Sequence, residues 1–368
     1  MALKDIIGQD RAINIILRTL RRGRIPSSYL FAGESGTGKK LTAIQLAKAV
    51  NCSNNFPGQT LAQDILFQIA PPLLSVPVEQ ASYETDCCDN CPSCKKIDSG
   101  IHPDFLLIAP QKGQIRAEEI RAIDDILSLK PFEGRKKIVI VDEADTMNQV
   151  AANAFLKTLE EPPPDSLIIL ISSNPYRLPD TIRSRCSRIN FTPLSDEACN
   201  KVFEKIRNAA LQVKGRKSHL KELPDSGPEL AALVRLSMGR PGLAVSGNPV
   251  EEREWFLKLL QDMLNSGKDD WASREEMERW FDQLFIILRD MAVGKITGER
   301  KDFINTDRHD SVLRLSNFME VKGIIECYEK LNRLKRYFVF NLNKSLVWNY
   351  TGSLLLKMRM QRDKQETH

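Results

Sequence analysis

Two adjacent lysines close a glycine-rich loop, and the second stands where a hydroxyl is expected. Gly33-Glu34-Ser35-Gly36-Thr37-Gly38-Lys39 lies between the apolar run Tyr29–Ala32 and a segment of helical character, Lys39–Val50. In that context a loop wraps backbone N–H groups around phosphate oxygens at a helix N-terminus, and the lysine reaches the outer phosphates. Gly33, Gly36, Gly38 and Lys39 are therefore candidate nucleotide-binding residues. The following position should be Ser or Thr, whose hydroxyl ligates Mg²⁺, but here it is Lys40. An ammonium about 4 Å from the ion would be repelled by roughly 8 kcal/mol at an effective dielectric of ~20, an upper bound because the lysine stem can swing its charge into water. Productive Mg·ATP binding is expected to be weak or absent, which leaves ATP doubtful as a ligand.

Asp142-Glu143-Ala144-Asp145 follows the apolar run Ile138–Val141. Next to a phosphate loop, Asp142 would hold Mg²⁺ through water and Glu143 would orient the attacking water. The site is a hybrid, with suitable carboxylates and a defective magnesium ligand.

A second cluster is made of cysteines. Cys88, Cys91 and Cys94 stand at regular three-residue spacing, and a structural tetrahedral zinc needs four ligands with no open position. Cys52, at the end of the helix that follows the loop, is the natural fourth; Cys87 competes with Cys88. Free buried thiols fit poorly beside Asp86, Asp89, Lys95 and Lys96, so bound zinc in a structural role is expected. Cys186, Cys199 and Cys327 are isolated and read as packing residues.

The elements that must position these groups are legible as alternating runs. Tyr29–Ala32, Phe105–Ile108, Ile138–Val141 and Leu167–Ile171 read as buried strands, with helices near 13–20, 39–50, 117–129 and 150–160 between them. Short β-rich runs alternating with helices imply an α/β domain with a parallel sheet covered on both faces. Leu61, Ile65, Leu66 and Ile69 suggest a short helix in a surface insert between the cysteines. After Pro193-Leu194 the strand signals stop. Helices are expected over 195–208, 228–237, 251–265, 273–293, 311–332 and 343–360. Three domains follow: a core over 1–194 with the cysteine insert at 52–94, a small helical domain over 195–248, and a larger helical one over 249–368.

Composition sets outer bounds. The 368 residues exceed a single core. A net charge of +5, from 53 basic and 48 acidic side chains, permits nucleic-acid contact without demanding it. No stretch approaches the ~20 apolar residues that span a bilayer, and no secretory signal is visible, so a cytoplasmic protein with no membrane partner is expected.

Several motifs together resemble the bacterial DNA polymerase III clamp-loader family of AAA+ proteins. Ala151-Ala152-Asn153-Ala154-Phe155-Leu156-Lys157-Thr158-Leu159-Glu160-Glu161-Pro162-Pro163 resembles the family's signature helix after the acidic strand end. Ser184-Arg185-Cys186 is similar to its Ser-Arg-Cys motif, and the cysteine insert after the loop helix is similar to its bacterial branch. His102-Pro103-Asp104 and the Gly38-Lys39-Lys40 ending resemble the delta-prime branch in particular. Asn341-Leu342-Asn343 and the helix after it look like the end of the family's collar domain.

The resemblance implies an AAA+ core with a parallel sheet, a helical lid and a C-terminal helical collar through which subunits associate. It implies gamma/tau and delta partners in a hetero-pentamer that opens a sliding clamp and places it on primed DNA. Arg185 would be an arginine finger for a neighbour's ATP, Ser172 or Ser173 would sit at the sensor-1 strand end, and Arg240 would fall at the sensor-2 position. The insert is longer than the family's usual spacer, which leaves the fourth zinc ligand open. The intact Asp142-Glu143 pair keeps an ATP-hydrolysing gamma/tau-type subunit as the alternative reading.

Overall fold

The protein is described by a computed structural model. The structure describes residues 1–55, 86–111, 113–212, 224, 227–247, 249–266, 271–317, 319–340 and 342–363. The helix expected around Leu61–Ile69 and most of the basic stretch after Lys214 lie outside these residues.

Five strands form one parallel sheet: β1 (Ser28–Ala32), β2 (Phe105–Ile108), β3 (Lys137–Val141), β4 (Ser166–Ser172) and β5 (Ser187–Asn190), in the spatial order β2-β3-β4-β1-β5. β1, β3 and β4 are buried along their whole length, as strands with both faces covered must be. The pleat sends alternate residues to opposite sides. Tyr29, Phe31, Ile138, Ile140, Leu167 and Ile169 pack on one face against α1 (Asp10–Arg21) and α2 (Lys39–Asn51). Leu30, Ala32, Val139, Val141, Ile168 and Leu170 pack on the other, against α4 (Ala117–Leu127) and α5 (Gln149–Glu160). Between these helices in sequence comes the short α3 (Pro92–Asp98), which joins the first face.

This is the α/β core with a parallel sheet expected from the sequence, with one strand more. β5 was not legible because only Ile189 of its four residues is buried; it is an edge strand paired on one side only, to β1. α6 (Asp180–Arg183) is a single turn leading into it.

The chain parts into two compact units, Met1–Ala198 and Cys199–His368, and the division falls inside α7 (Asp196–Gln212). The described part of the second unit is helical: α8 (Pro228–Ser237), α9 (Pro241–Ser246), α10 (Pro249–Ser266), α11 (Arg274–Ile296), α12 (His309–Ser316), α13 (Val321–Arg336) and α14 (Lys344–Asp363). Its core is aromatic, with Trp271 edge-on to both Trp280 and Trp348, and Phe281 edge-on to Phe338.

One expectation is corrected there. The single helix expected over 311–332 is two: α12 ends at an Asn317 C-cap and α13 restarts after Glu320. Pro241 opens α9, because proline at the first helical turn removes only an N–H that has no intrahelical partner. No helix among the described residues is long and apolar enough to cross a membrane.

Candidate phosphate loop, metal centre and exposed arginine

The carboxyl ends of β1, β4 and β3 lie side by side, and the loop after each carries candidate chemistry, as expected at the crevice of an open α/β sheet. Glycine is required at the start of the first loop. Gly33 has φ +152°, and a Cβ there would stand 2.2 Å from the Phe191 carbonyl oxygen. Gly36 and Gly38 are left-handed, at φ +80° and +94°, and Gly38 caps α2. Thr37 Oγ1 donates to Glu34 O at 2.8 Å and Gln9 Nε2 donates to Thr37 O at 3.2 Å, so the loop is held from inside and from the N-terminal segment.

The two lysines do different things. Lys39 Nζ donates to the loop's own carbonyls, Gly33 O at 2.5 Å and Glu34 O at 2.6 Å. Burial pushes its pKa down, against the pull of Asp142, Asp145 and Glu34. Lys40 Nζ sits 3.1 Å from Asp142 Oδ2. The carboxylate expected to face a magnesium shell is thus ion-paired to the side chain that stands at the expected hydroxyl position.

Glu143 is left-handed at φ +48° and exposed. Partial desolvation of its carboxyl, with Asp142 and Asp145 beside it, raises the pKa, and Lys40 opposes the rise. Ser173 donates from its backbone N to Asp145 Oδ1 at 3.1 Å and from Oγ to Oδ2 at 3.4 Å. Of the two serines at this strand end, Ser173 therefore faces the acidic turn, whereas Ser172 is buried inside β4. Arg240 lies in the second unit as the N-cap residue of α9, with Nε donating to Ser237 O at 3.4 Å.

Arg185 follows α6, one residue past its C-cap. Its Nη1 donates to Thr181 O at 2.8 Å and its Nη2 to Glu160 Oε1, at the last residue of α5, at 2.6 Å. Ser184 Oγ donates to the same Thr181 carbonyl, and Cys186 is buried in the core, its thiol pushed up to about 12 by burial. The three residues divide their tasks: serine closes the turn, arginine is displayed, cysteine anchors.

At the other end of α2 the structure brings Cys52, Cys88, Cys91 and Cys94 together, with all four sulfurs within 4.8 Å of one another. Four thiolates about 2.3 Å from a central zinc would stand about 3.8 Å apart, and Cys52 Sγ to Cys91 Sγ is 4.0 Å. The donor set and its size fit a closed tetrahedral metal. The backbone N–H of Cys91 donates to Cys88 Sγ at 3.3 Å and that of Cys94 to Cys91 Sγ at 3.4 Å. Burial pushes the Cys91 thiol up, but hydrogen bonds led by the N–H groups of Cys94 and Ser53 prevail and bring it down to about 6.

Cys87 points elsewhere, to Met1 O at 3.6 Å and Gln45 Oε1 at 3.5 Å, and its thiol is pushed up to about 12, chiefly by burial. Asp86, next to Cys87, accepts from Leu3 N at 2.8 Å and Lys4 N at 2.9 Å, which pins the chain just before the cysteines.

Three groups around this centre had no role assigned from sequence. Lys48 is buried on α2 and paired to Asp89 and Asp98, which flank the cysteines. His102 is buried between Ser93 Oγ and the Asp104 N–H, each at 3.1 Å. Asp104 accepts from the N–H groups of Phe132, Glu133 and Gly134 and pairs with Lys137. The advance signals were a lysine within the apolar run of α2, acids interleaved with the cysteines, and the His102-Pro103-Asp104 run, which carried a resemblance but no role.

A family model described as DNA polymerase III, delta subunit matches residues 8–65 and 57–195, together just over half of the chain. The Bacillus subtilis DNA polymerase III subunit delta' is 34% identical over 190 residues, which cover 52% of this chain and 49% of that protein. The tau subunit of the same organism is 27% identical over 360 residues, covering 90% of this chain and 57% of that protein. The chain spans about half the length of these curated relatives. A DNA polymerase III gamma subunit-related protein from Thermotoga maritima aligns over 94% of this chain and 98% of its own at 19% identity, with a TM-score of 0.39.

Proposed function

The chain belongs to the family described as DNA polymerase III, delta subunit, and from that premise we propose that it is a clamp-loader subunit of the non-hydrolysing delta-prime kind. It works in a hetero-pentamer with gamma/tau and delta subunits in the bacterial cytoplasm, helping to open a sliding clamp and place it on primed DNA. Residues 1–194 act as the core, 195–248 as a lid and 249–368 as the collar that holds neighbours.

The observation that carries this reading is the Lys40–Asp142 ion pair at 3.1 Å. A magnesium ion entering here would lose its hydroxyl ligand, meet an ammonium, and have to displace that ammonium from the carboxylate meant for its own water shell. Gly33, Gly36, Gly38 and Lys39 keep the shape of a phosphate cradle without the metal that makes hydrolysis possible. Asp142, Glu143, Ser173 and Arg240 hold positions that would matter only if Mg·ATP bound.

Arg185 instead serves a neighbour. A guanidinium reaching the γ-phosphate offsets charge that spreads onto its equatorial oxygens during transfer, an effect worth about 10³–10⁵ in rate. Cys52, Cys88, Cys91 and Cys94 hold a zinc ion, whose chemistry here is cross-linking alone.

The alternative is a gamma/tau-type motor, favoured by the tau likeness along 90% of the chain and by the intact Asp142-Glu143 pair. Reconstitution with partner ATPase subunits separates the two. On the stator reading, Arg185→Ala removes clamp- and DNA-stimulated turnover at the adjoining site, and Lys39→Ala leaves turnover unchanged. The reverse pattern identifies a motor.

A further inference from the structure

We infer that Glu160 is the positioning residue of the Arg185 finger, bracing the guanidinium before a neighbour's nucleotide arrives. This requires Arg185 to act in trans, as proposed above.

The arginine is held from two directions by different elements. Nη2 donates to the Glu160 carboxylate at the end of α5, at 2.6 Å, and Nη1 to the Thr181 carbonyl of α6, at 2.8 Å. The guanidinium carries five N–H groups in a rigid plane, so two such bonds orient it and leave Nε–H and one N–H on each terminal nitrogen for a phosphate. Arg185 is partly exposed, with its side chain at 33% relative accessibility. A free arginine there would sample many rotamers, and ordering it at the moment of transfer would oppose the reaction. Glu160 removes that cost in advance.

The origin of the carboxylate bears on its purpose. α5 starts four residues after Asp145, in the acidic turn beside the chain's own phosphate loop, and ends on Glu160. Phe155 and Leu159 are buried in the sheet core, so the helix that carries Glu160 is fixed to the rigid scaffold. Exposed ion pairs contribute little to folding stability. Glu160 is half-exposed, so its removal should spare the fold and show itself in turnover.

The test uses the assembled complex with partner ATPase subunits, clamp and primed DNA, measuring kcat and KM for ATP with wild-type, Arg185→Ala, Glu160→Ala and Glu160→Gln chains. Glu160→Ala should lower kcat at the adjoining site about fivefold with KM unchanged, the worth of roughly one hydrogen bond. Glu160→Gln, whose amide oxygen accepts the same bond, should restore turnover to within about twofold of wild type. Melting temperature and pentamer assembly should match wild type in both.

Wild-type or higher turnover in Glu160→Ala, with Arg185→Ala still defective, would overturn the brace and leave the finger standing. Equal losses in the Ala and Gln variants would also overturn it. Unchanged turnover in Arg185→Ala would remove the finger reading, and the brace with it.

Discussion

Helix α2 carries a candidate site at each end, and the two ends treat positive charge in opposite ways. At its N-terminus the glycine loop has the backbone shape of a phosphate cradle, yet the place of the metal is taken by Lys40, bonded to Asp142. At its C-terminus Cys52 completes a set of four sulfurs within 4.8 Å that calls for a metal, and the nearby cation, Lys48, is kept apart on Asp89 and Asp98. Under the proposed function, one helix presents a cradle that takes no magnesium at one end and a structural zinc site at the other. Backbone geometry and the chemistry it once positioned can separate, because glycine conformations and strand packing hold the loop whether or not phosphate binds.

The largest expected effect lies at the cysteine end. Native mass spectrometry should find one zinc per chain, lost in Cys94→Ser and kept in Cys87→Ser. Cys94→Ser should also destabilise the first unit by about 3–5 kcal/mol, because binding at a closed metal site is folding free energy. Equal zinc loss in both variants would undo the distinction between Cys87 and Cys88.

Gly33→Ala probes the other end. The added Cβ meets the Phe191 carbonyl at 2.2 Å, and a clash with backbone cannot be relieved by a rotamer change. A loss of about 2–3 kcal/mol is expected in denaturant unfolding. A neutral result would mean that the loop shape is not imposed by the sheet.

The smallest effect concerns the bonds that hold the cysteine segment to the sheet. Burial pushes the Asp104 carboxyl up, but the N–H groups of Phe132, Gly134 and Glu133 and the Lys137 ammonium outweigh it and hold its pKa below the ordinary value. Its folded pKa is thus below its unfolded one. The stabilisation is fully present above the unfolded pKa of ~3.9 and is lost as pH falls through the lower folded value. Asp104→Asn should cost about 1–2 kcal/mol at neutral pH and progressively less below pH ~4, read from urea midpoints across pH. A penalty independent of pH would contradict the charge assignment.

Much of this was legible in the sequence because the informative features are local. Four strands are continuous apolar runs, and the loop, the acidic turn and the cysteine spacing each fall within a few residues. β5 escaped because an edge strand needs only Ile189 inward. Cys88 could not be separated from Cys87 because the contacts around them, Asp86 to Leu3 and Lys4 among them, join residues far apart in sequence. The Lys40 substitution was visible, but its carboxylate partner was not, since only the parallel sheet brings the loop after β1 near the end of β3. The Glu160–Arg185 contact likewise depends on how α5 and α6 pack.

In the proposed function Lys40 stands in for magnesium. Calorimetric titration of ATP into the wild-type chain and Lys40→Thr, each with and without Mg²⁺, tests this directly. Magnesium should add nothing to the affinity of the wild type and should strengthen binding to Lys40→Thr by about tenfold or more. Tighter ATP binding by the wild type with magnesium than without it would contradict the account.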